Sequence, residues 1–304
     1  MARISPAAAG LLLTLGSAGL FGMGTVGARL ASFEGIGGTS LVLFRSVLML
    51  ALVGIVAVLR RAPLAVAPGE RAALVVAGLA TTVLGSAYMS SVAFVPVTVA
   101  VVVFYTFPVL IVLASPLVTG APLTPGLVGI AGLALLGVVG VVGPAFGGLD
   151  PRGLVLAGAA SLATAVQFFA FSRVGRTGLV AKVLWIHLLV LPSAALLALA
   201  AGGPNAPEDL LRAPWPAAVS VGGYLVGFAL QLAALARSSP VVAGIAYCAE
   251  PVVSALGAAA ILGESLSGVQ WLGGAAVLAA IAANAVREGR RTPARQTSPA
   301  EPVP

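Results

Sequence analysis

Residues 240–262 read PVVAGIAYCAEPVVSALGAAAIL, an apolar run that contains one charged side chain, Glu250. A helix of about 20 apolar residues crosses the hydrocarbon core of a bilayer. Nine other runs resemble this one, and most charged residues lie between the runs. Because isolated strands cannot satisfy their backbone groups in lipid, the sequence predicts an all-α integral membrane protein with ten transmembrane helices. The ten runs occupy residues 8–30, 38–59, 71–91, 94–116, 125–143, 153–173, 179–201, 215–236, 240–262 and 269–287.

The composition supports this class. Hydrophobic residues make up 60% of the 304 residues and charged residues only 8%, which is too few to cover the surface of a soluble domain. The runs and their connections use nearly the whole length, so no soluble catalytic domain remains and we expect no enzymatic activity. A single cysteine, Cys248, excludes an intrachain disulfide and a cysteine-rich metal site. The sequence has no metal-ligand cluster and no Walker-type loop, so no cofactor is expected.

The net charge of +7 reflects membrane topology rather than nucleic-acid binding. With a cytoplasmic N-terminus, twelve of the sixteen Lys and Arg residues fall on the cytoplasmic side. Arg29, Arg152 and Arg212 fall outside, and Arg45 lies within a run. This bias follows the positive-inside rule, so we expect both termini in the cytoplasm. Residues 288–304 are polar and rich in proline, which predicts a disordered tail.

The chain contains an internal repeat, in which PVLIVLASPLVTGAPL from Pro108 aligns with PVVSALGAAAILGESL from Pro251. Each copy comprises five helices, residues 8–143 and residues 153–287. An odd number of helices makes the two copies cross the membrane in opposite senses, and such an inverted repeat lets one central site face either side. The identical positions pair Pro108, Val109, Leu113, Gly120 and Leu123 with Pro251, Val252, Leu256, Gly263 and Leu266.

Several segments together are similar to a known family. They are GLFGMGTVGARL at 19–30, LVLFRSVLMLAL at 41–52, the hairpin from Pro96 to Pro108, and YCAEPVVSALGAAAILGESLSGVQWLGGAAVL at 247–278. The chain resembles the drug/metabolite transporter superfamily, specifically its ten-helix members with two EamA repeats. That family usually has an acidic residue after both the fourth and the ninth helix. Here Glu264 fills the second position and Ala121 the first.

The resemblance implies a secondary transporter in the inner membrane of a prokaryote. It would export small metabolites, such as amino acids, related compounds or drugs, by alternating access between its two halves. Its partners would be the small-molecule substrate, the lipid bilayer and protons. A channel or a non-transporting membrane scaffold stays open as the alternative. An integral membrane enzyme is less favoured, because the charges at the membrane interfaces are mostly arginines that set topology.

Glu250 is the strongest candidate for substrate binding or coupling. It lies about 15 Å along its helix from Pro240, near the membrane centre, where an ionisable group costs roughly 3 kcal/mol. Pro251 cannot donate to the carbonyl of Tyr247, so the helix should kink there, and Tyr247, Glu250 and Ser254 share one face. We interpret Glu250 as a carboxylate that binds substrate or protons in a central cavity. The alternatives are a buried partner for an arginine and a protonated helix–helix hydrogen bond.

Arg45 is the only basic residue well inside a run, about 10 Å from the outer end of its helix. It would bind a substrate carboxylate or pair with Glu250; alternatively, it snorkels to the interface or forms a structural ion pair. His187 is the only histidine. It is a candidate proton relay, and the alternative is a simple hydrogen bond to a neighbouring helix.

Other polar side chains on expected inward faces would bind a polar or aromatic solute, or would join helices to one another. As a set, we expect them to converge on one cavity. Pro108 and Pro251 are candidate hinges within their helices. The polar candidates are Thr98 and Tyr105 in the fourth run, Thr164 and Gln167 in the sixth, and Tyr224 and Gln231 in the eighth.

Overall fold

The computed structural model describes residues 5–143 and 149–291, and all regular secondary structure in this part of the chain is helical. The first half contains α1 (Pro6–Phe33), α2 (Gly38–Arg60), α3 (Arg71–Ser91), α4 (Val97–Phe104), α5 (Phe107–Thr119) and α6 (Pro125–Val142). The second half contains α7 (Pro151–Ser172), α8 (Leu179–Ala200), α9 (Pro214–Leu235), α10 (Pro240–Tyr247), α11 (Ala249–Leu262) and α12 (Gly268–Arg291), with a short 3₁₀ helix at Pro207–Leu211.

Ten spans within these described ranges are long and apolar enough to cross a membrane, which confirms the predicted all-α architecture. The fourth span consists of α4 and α5, and the ninth consists of α10 and α11. The last helix extends to Arg291, so residues 288–291 are helical instead of belonging to the predicted tail. Its final turns contain alanine and arginine, which favour helix. Residues 292–304 of that predicted tail lie outside the described residues.

Local capping signals fix where four of the helices begin. The side chains of Ser5, Thr124, Asp150 and Ser239 each accept a hydrogen bond from a backbone N–H in the turn that follows. In all four cases the next residue is proline, whose fixed φ and missing N–H suit the first position of a helix.

The two halves interlock instead of lying side by side. Helix α1 packs against α9 and α11, and α7 packs in the corresponding way against α3 and α5. Helices α2 and α8 contact each other, as do α6 and α12. When the halves are exchanged, α1 maps to α7, α3 to α9 and α5 to α11. The contacts of α1 then map onto those of α7, and the α2–α8 and α6–α12 contacts map onto themselves. This is the arrangement expected of an inverted repeat, and it places the centre of the protein at the interface between the halves.

Glycines allow close approach where equivalent helices cross. A Cβ atom built on Gly137 of α6 would lie 2.8 Å from the carbonyl oxygen of Gly273 in α12. A Cβ atom on Gly273 would lie 2.6 Å from the carbonyl oxygen of Gly137. Larger side chains would separate the two backbones, so these small residues fix the distance between the last helices of the two halves.

A set of hydrogen bonds around Glu70, here called the Glu70 clasp, joins the α2–α3 connection to the α7–α8 connection. The Glu70 carboxylate accepts hydrogen bonds from the backbone N–H groups of Arg176 and Thr177, both at 2.8 Å, and from the Thr177 hydroxyl at 2.6 Å. Desolvation alone would raise the pKa of Glu70, but these bonds and the Arg176 charge lower the pKa to about 2. Glu70 therefore carries its charge at neutral pH as a structural group.

The equivalent place in the other half contains an amide, and its bonds form the Asn205 clasp. The Asn205 side chain accepts from the N–H of Gly37 at 2.9 Å and donates to the carbonyl of Gly35 at 3.1 Å. The Asn205 N–H donates to the Ser40 hydroxyl at 2.9 Å. The two clasps thus join equivalent loops with different chemistry, one charged and one neutral.

The ends of α1 and α7 differ between the halves in a similar way. Arg29 forms a 2.8 Å ion pair with Glu264, which follows α11. Its equivalent, Arg173, donates instead to the backbone carbonyl of Val118 at 3.1 Å. Ala121, which occupies the position equivalent to Glu264, provides no carboxylate for Arg173.

Candidate functional site

Two interrupted helices meet near the centre of the protein. The fourth span breaks at residues 105–106, between α4 and α5, and the ninth span breaks at Cys248, between α10 and α11. Proline has no N–H, so Pro108 and Pro251 cannot donate to the carbonyls one turn earlier. The breaks therefore occur at equivalent positions of the two halves, just before the paired prolines.

Glu250 lies in the first turn after the second break, and it is half-buried. The hydroxyl of Tyr105, at the first break, is close enough to interact with its carboxylate. Tyr88 of α3 and Tyr247 are also close enough to interact with the Glu250 charge. The carboxylate therefore faces side chains from both halves.

Helix α1 holds the backbone of this segment in place. A Cβ atom on Gly22 would lie only 2.6 Å from the carbonyl oxygen of Glu250. The hydroxyl of Tyr247 donates to Ser17 at 2.6 Å, and Ser17 in turn donates to the carbonyl of Gly227 at 2.6 Å. The Tyr247 hydroxyl is thus engaged in joining α10 to α1 and α9.

Arg45 enters the same region from α2, and its side chain is half-buried. The guanidinium carbon lies 4.1 Å from the centre of the Tyr224 ring, a cation–π contact. Its Nε atom is buried and has no hydrogen-bond partner within the described residues. Arg45 and Glu250 interact through their charges, but no direct salt bridge joins them among the described side chains. The two opposite charges therefore remain separate across the centre.

His187 lies behind Tyr224 and is fully buried. Its Nδ1 atom is 2.9 Å from the carbonyl oxygen of Val183, and its Nε2 atom is 3.1 Å from the Tyr224 hydroxyl. The histidine ring also packs edge-on against Phe228, with the ring centres 4.7 Å apart. Tyr224 therefore contacts both His187 and Arg45.

Aromatic rings connect the two charged groups in a continuous set, here called the aromatic cluster. All four tyrosines of the chain belong to the aromatic cluster, together with five phenylalanines. Its rings pack with centres 5.2–6.2 Å apart, so the aromatic cluster gives the centre an apolar wall with polar edges. The members are Tyr88, Phe104, Tyr105, Phe107, Phe168, Tyr247, Phe21, Tyr224 and Phe228.

The remaining sequence candidates lie in varied surroundings. Gln167 is buried and donates to Thr81 of α3 at 2.7 Å, and Thr164 donates to the carbonyl of Ala160 in its own helix. These two side chains make contacts typical of helix packing, although Oε1 of Gln167 has no partner among the described residues. Of the others, Gln231 is buried on α9, and Thr98 and Ser254 are half-buried on α4 and α11.

Two residues of this region were not predicted from the sequence. Tyr88 is one of them, although the chain has only four tyrosines and each lies within an apolar span. Ser17 was also missed, since a serine in an apolar helix is too common to indicate a contact with a residue 230 positions away. The one signal in the sequence for Tyr88 was the scarcity of tyrosine in so apolar a chain.

Comparisons with known proteins add two findings. Residues 8–143 and 151–286 each match the model of a family described as "EamA-like transporter family". A solved structure described only as "Crystal structure of protein" superposes with a TM-score of 0.73 at 23% identity, and the match covers 94% of this chain and 100% of that one. This likeness concerns the fold alone. None of the curated protein sequences matches the chain.

Proposed function

Because the chain belongs to the EamA-like transporter family, we propose that it is a secondary transporter that exports small metabolites. Amino acids are the leading substrate class, and related compounds or small drugs are the next. One observation carries this proposal: an arginine and a glutamate, unpaired with each other, occupy an aromatic-walled centre between the two halves.

The two charges suit a zwitterion. Arg45 would bind the substrate carboxylate, since its buried Nε atom has no partner among the described residues and a guanidinium binds carboxylates well. Glu250, which is close to Tyr105, would bind the substrate amine. The aromatic cluster would contact an apolar or aromatic side chain of the substrate. Three further side chains would contribute polar contacts. Ser254 lies on α11 with Glu250, Gln231 lies on α9 with Tyr224, and Thr98 lies on α4.

Transport would proceed by alternating access. The inverted halves are nearly equivalent, so exchanging their conformations would turn the central site from one side of the membrane to the other. The breaks before Pro108 and Pro251 would act as hinges, since the interrupted helices lack continuous backbone hydrogen bonding there.

Counterflow in liposomes tests the transport proposal. A comparison of metabolites in cells with and without the protein would first select the substrates. We expect liposomes preloaded with the selected amino acid to accumulate the labelled compound, and the Arg45→Gln variant to raise its KM at least tenfold. Leu188→Ala serves as the control. Leu188 follows His187 in the chain, but its side chain is 44% exposed on the outer surface of the protein, away from the proposed site. Flux that does not saturate and shows no counterflow would indicate a channel, and no flux at all would indicate a scaffold.

Proton coupling through Glu250 is a further part of the proposal. Glutamine keeps the size of this side chain but cannot carry or release a proton. We therefore expect Glu250→Gln to lose transport driven by a pH gradient while retaining counterflow without a gradient. Unchanged dependence on the gradient would show that Glu250 is not the coupling group.

We also propose that the protein lies in a prokaryotic inner membrane with both termini in the cytoplasm. The excess of Lys and Arg on one side supports this orientation. Cysteines introduced at Arg60 and at Arg290 should both be labelled from the cytoplasmic face of the membrane. Labelling of both from the outer face would contradict the orientation, and labelling from opposite faces would contradict the even number of spans between them.

A further inference from the structure

The hydrogen bonds of His187 define which of its nitrogens carries hydrogen. A carbonyl oxygen can only accept, so Nδ1 donates to Val183 across 2.9 Å. The ring is fully buried and lies within range of the Arg45 charge, where a second positive charge would be costly. A neutral ring has its lone pair on Nε2, and Tyr224 must therefore donate its hydroxyl hydrogen to His187 across 3.1 Å.

These bonds form one directed series that ends at Arg45. The Val183 carbonyl accepts from His187, His187 accepts from Tyr224, and the Tyr224 ring lies 4.1 Å from the Arg45 guanidinium carbon. Hydrogen bonds in series polarise one another. A phenol that donates its hydrogen gains electron density in its ring, and a richer ring attracts the cation above it more strongly.

The internal repeat shows which of the two hydrogen bonds of His187 is particular to the second half. VLFRSVLML at 42–50 aligns with VLWIHLLVL at 183–191, which makes Ser46 the equivalent of His187. Ser46 is also buried, and it donates to the carbonyl four residues earlier, that of Val42, at 2.8 Å. Both halves thus have the bond to the preceding turn. Only the histidine has a second polar atom, Nε2, and this atom is hydrogen-bonded to Tyr224.

We propose that His187 is a positioning residue, which orients and polarises the Tyr224 ring so that the ring holds Arg45 in place toward the substrate carboxylate. His187 does not carry a proton across the membrane. The role given to Arg45 rests on the proposed function, but the contact between His187, Tyr224 and Arg45 does not. A measurement without substrate can therefore test the inference separately.

Because the chain has a single histidine, nitrogen NMR of protein labelled with ¹⁵N-histidine in lipid reports on this ring alone. We expect a protonated Nδ1 and an unprotonated, hydrogen-bonded Nε2. The Nε2 resonance should move in Tyr224→Phe, which removes the hydroxyl, and also in Arg45→Gln. Arg45→Gln should move it less in the Tyr224→Phe background, where only the direct field of the Arg45 charge acts on His187. Hydrogen on Nε2, or an equal effect of Arg45→Gln in both backgrounds, would overturn the inference. Leu188→Ala is the control and should leave the resonance unchanged.

Transport kinetics provide the second readout, with L-phenylalanine and phenethylamine as probes that differ by one carboxylate. A serine in His187→Ser can still bond to the Val183 carbonyl, just as Ser46 bonds to the Val42 carbonyl in the first half. It cannot accept the hydrogen bond from Tyr224. We expect it to raise the KM for L-phenylalanine by about three- to tenfold, with kcat and the KM for phenethylamine little changed. Equal KM increases for both probes, or a shifted pH profile, would contradict a positioning role. If the native protein moves neither probe, the proposed function fails for them, and the NMR result alone decides this inference.

Discussion

Glu70, which is buried, and Arg45, which is half-buried, have opposite surroundings. The Glu70 carboxylate accepts three hydrogen bonds from two consecutive residues, Arg176 and Thr177. The Nε atom of Arg45 is buried with no partner among the described residues. A buried polar atom without a partner is costly, so proteins rarely keep one unless it serves a purpose. The satisfied charge joins two loops of the fold, and the proposed function gives the unsatisfied one a partner in the substrate carboxylate.

Glu70→Gln tests the structural role of the Glu70 clasp. The amide would place hydrogen atoms against the N–H donors of Arg176 or Thr177, and the variant should lose about 1–3 kcal/mol of stability. Thermal unfolding in detergent measures this loss. Glu208→Gln is the matched control, because Glu208 is exposed and should tolerate the change. Equal stability of the two variants would show that the clasp contributes little.

The lowered pKa of Glu70 also predicts a pH dependence. The pKa of this group falls from 4.5 to about 2 on folding, so the folded state favours the charged form. Its contribution to stability is therefore complete above about pH 4.5 and disappears as the pH falls toward 2. The native protein should lose stability relative to Glu70→Gln across this range. Parallel stability curves for the two proteins would contradict the assignment.

Helix α1 contributes to the site mainly by letting other helices come close. Gly22 faces the carbonyl of Glu250, and Gly27 faces that of Pro216, with a built Cβ atom at 2.6 Å and 2.8 Å respectively. Gly22 and Gly27 therefore serve close helix packing. Through this contact, α1 sets the position of the broken segment that contains Glu250.

Gly22→Ala should displace that segment. The added methyl group would overlap the Glu250 carbonyl, and overpacking of this kind costs typically about 1–3 kcal/mol. We expect lower thermal stability together with a counterflow rate reduced several-fold. Gly19→Ala in the same helix is the control, because a Cβ atom there has no neighbour within 4 Å. If both variants transport like the native protein, the contact at Gly22 does not position Glu250.

The exchange symmetry of the two halves is broken at a few positions. Arg29 has a carboxylate partner in Glu264, whereas Arg173 bonds to a backbone carbonyl because Ala121 stands in the equivalent place. Ala121 lines a cavity of about 140 Å³, which leaves space for a longer side chain. The two ends of the protein are therefore held by different contacts, although their helices are arranged alike.

Ala121→Glu should restore the missing ion pair. The new carboxylate would reach Arg173, and an exposed pair of this kind contributes about 0.2–1 kcal/mol. Glu288 also lines the cavity and would oppose the added charge, while Arg287 would attract it. A double-mutant cycle with Arg173→Gln, followed by thermal unfolding, measures the coupling. A coupling of zero would show that the two positions do not meet, and the same cycle on Arg29 and Glu264 provides the reference.

The order of the ten spans, their inverted arrangement and the two helix breaks could be read from the sequence. These features are local, because a bilayer requires each span to be apolar and helical, and a proline removes one backbone hydrogen bond at its own position. The sequence also singled out Glu250 and Arg45, since a charge inside an apolar run is unusual enough to be noticed without knowing its neighbours.

The tertiary structure alone decided which side chains meet. Val183, His187, Tyr224 and Arg45 come from α8, α9 and α2, and nothing in their sequence spacing links them. The Glu70 clasp likewise joins residues more than a hundred positions apart. Such contacts depend on how helices pack against one another, and packing follows from the shapes of whole helix faces rather than from any short stretch of sequence.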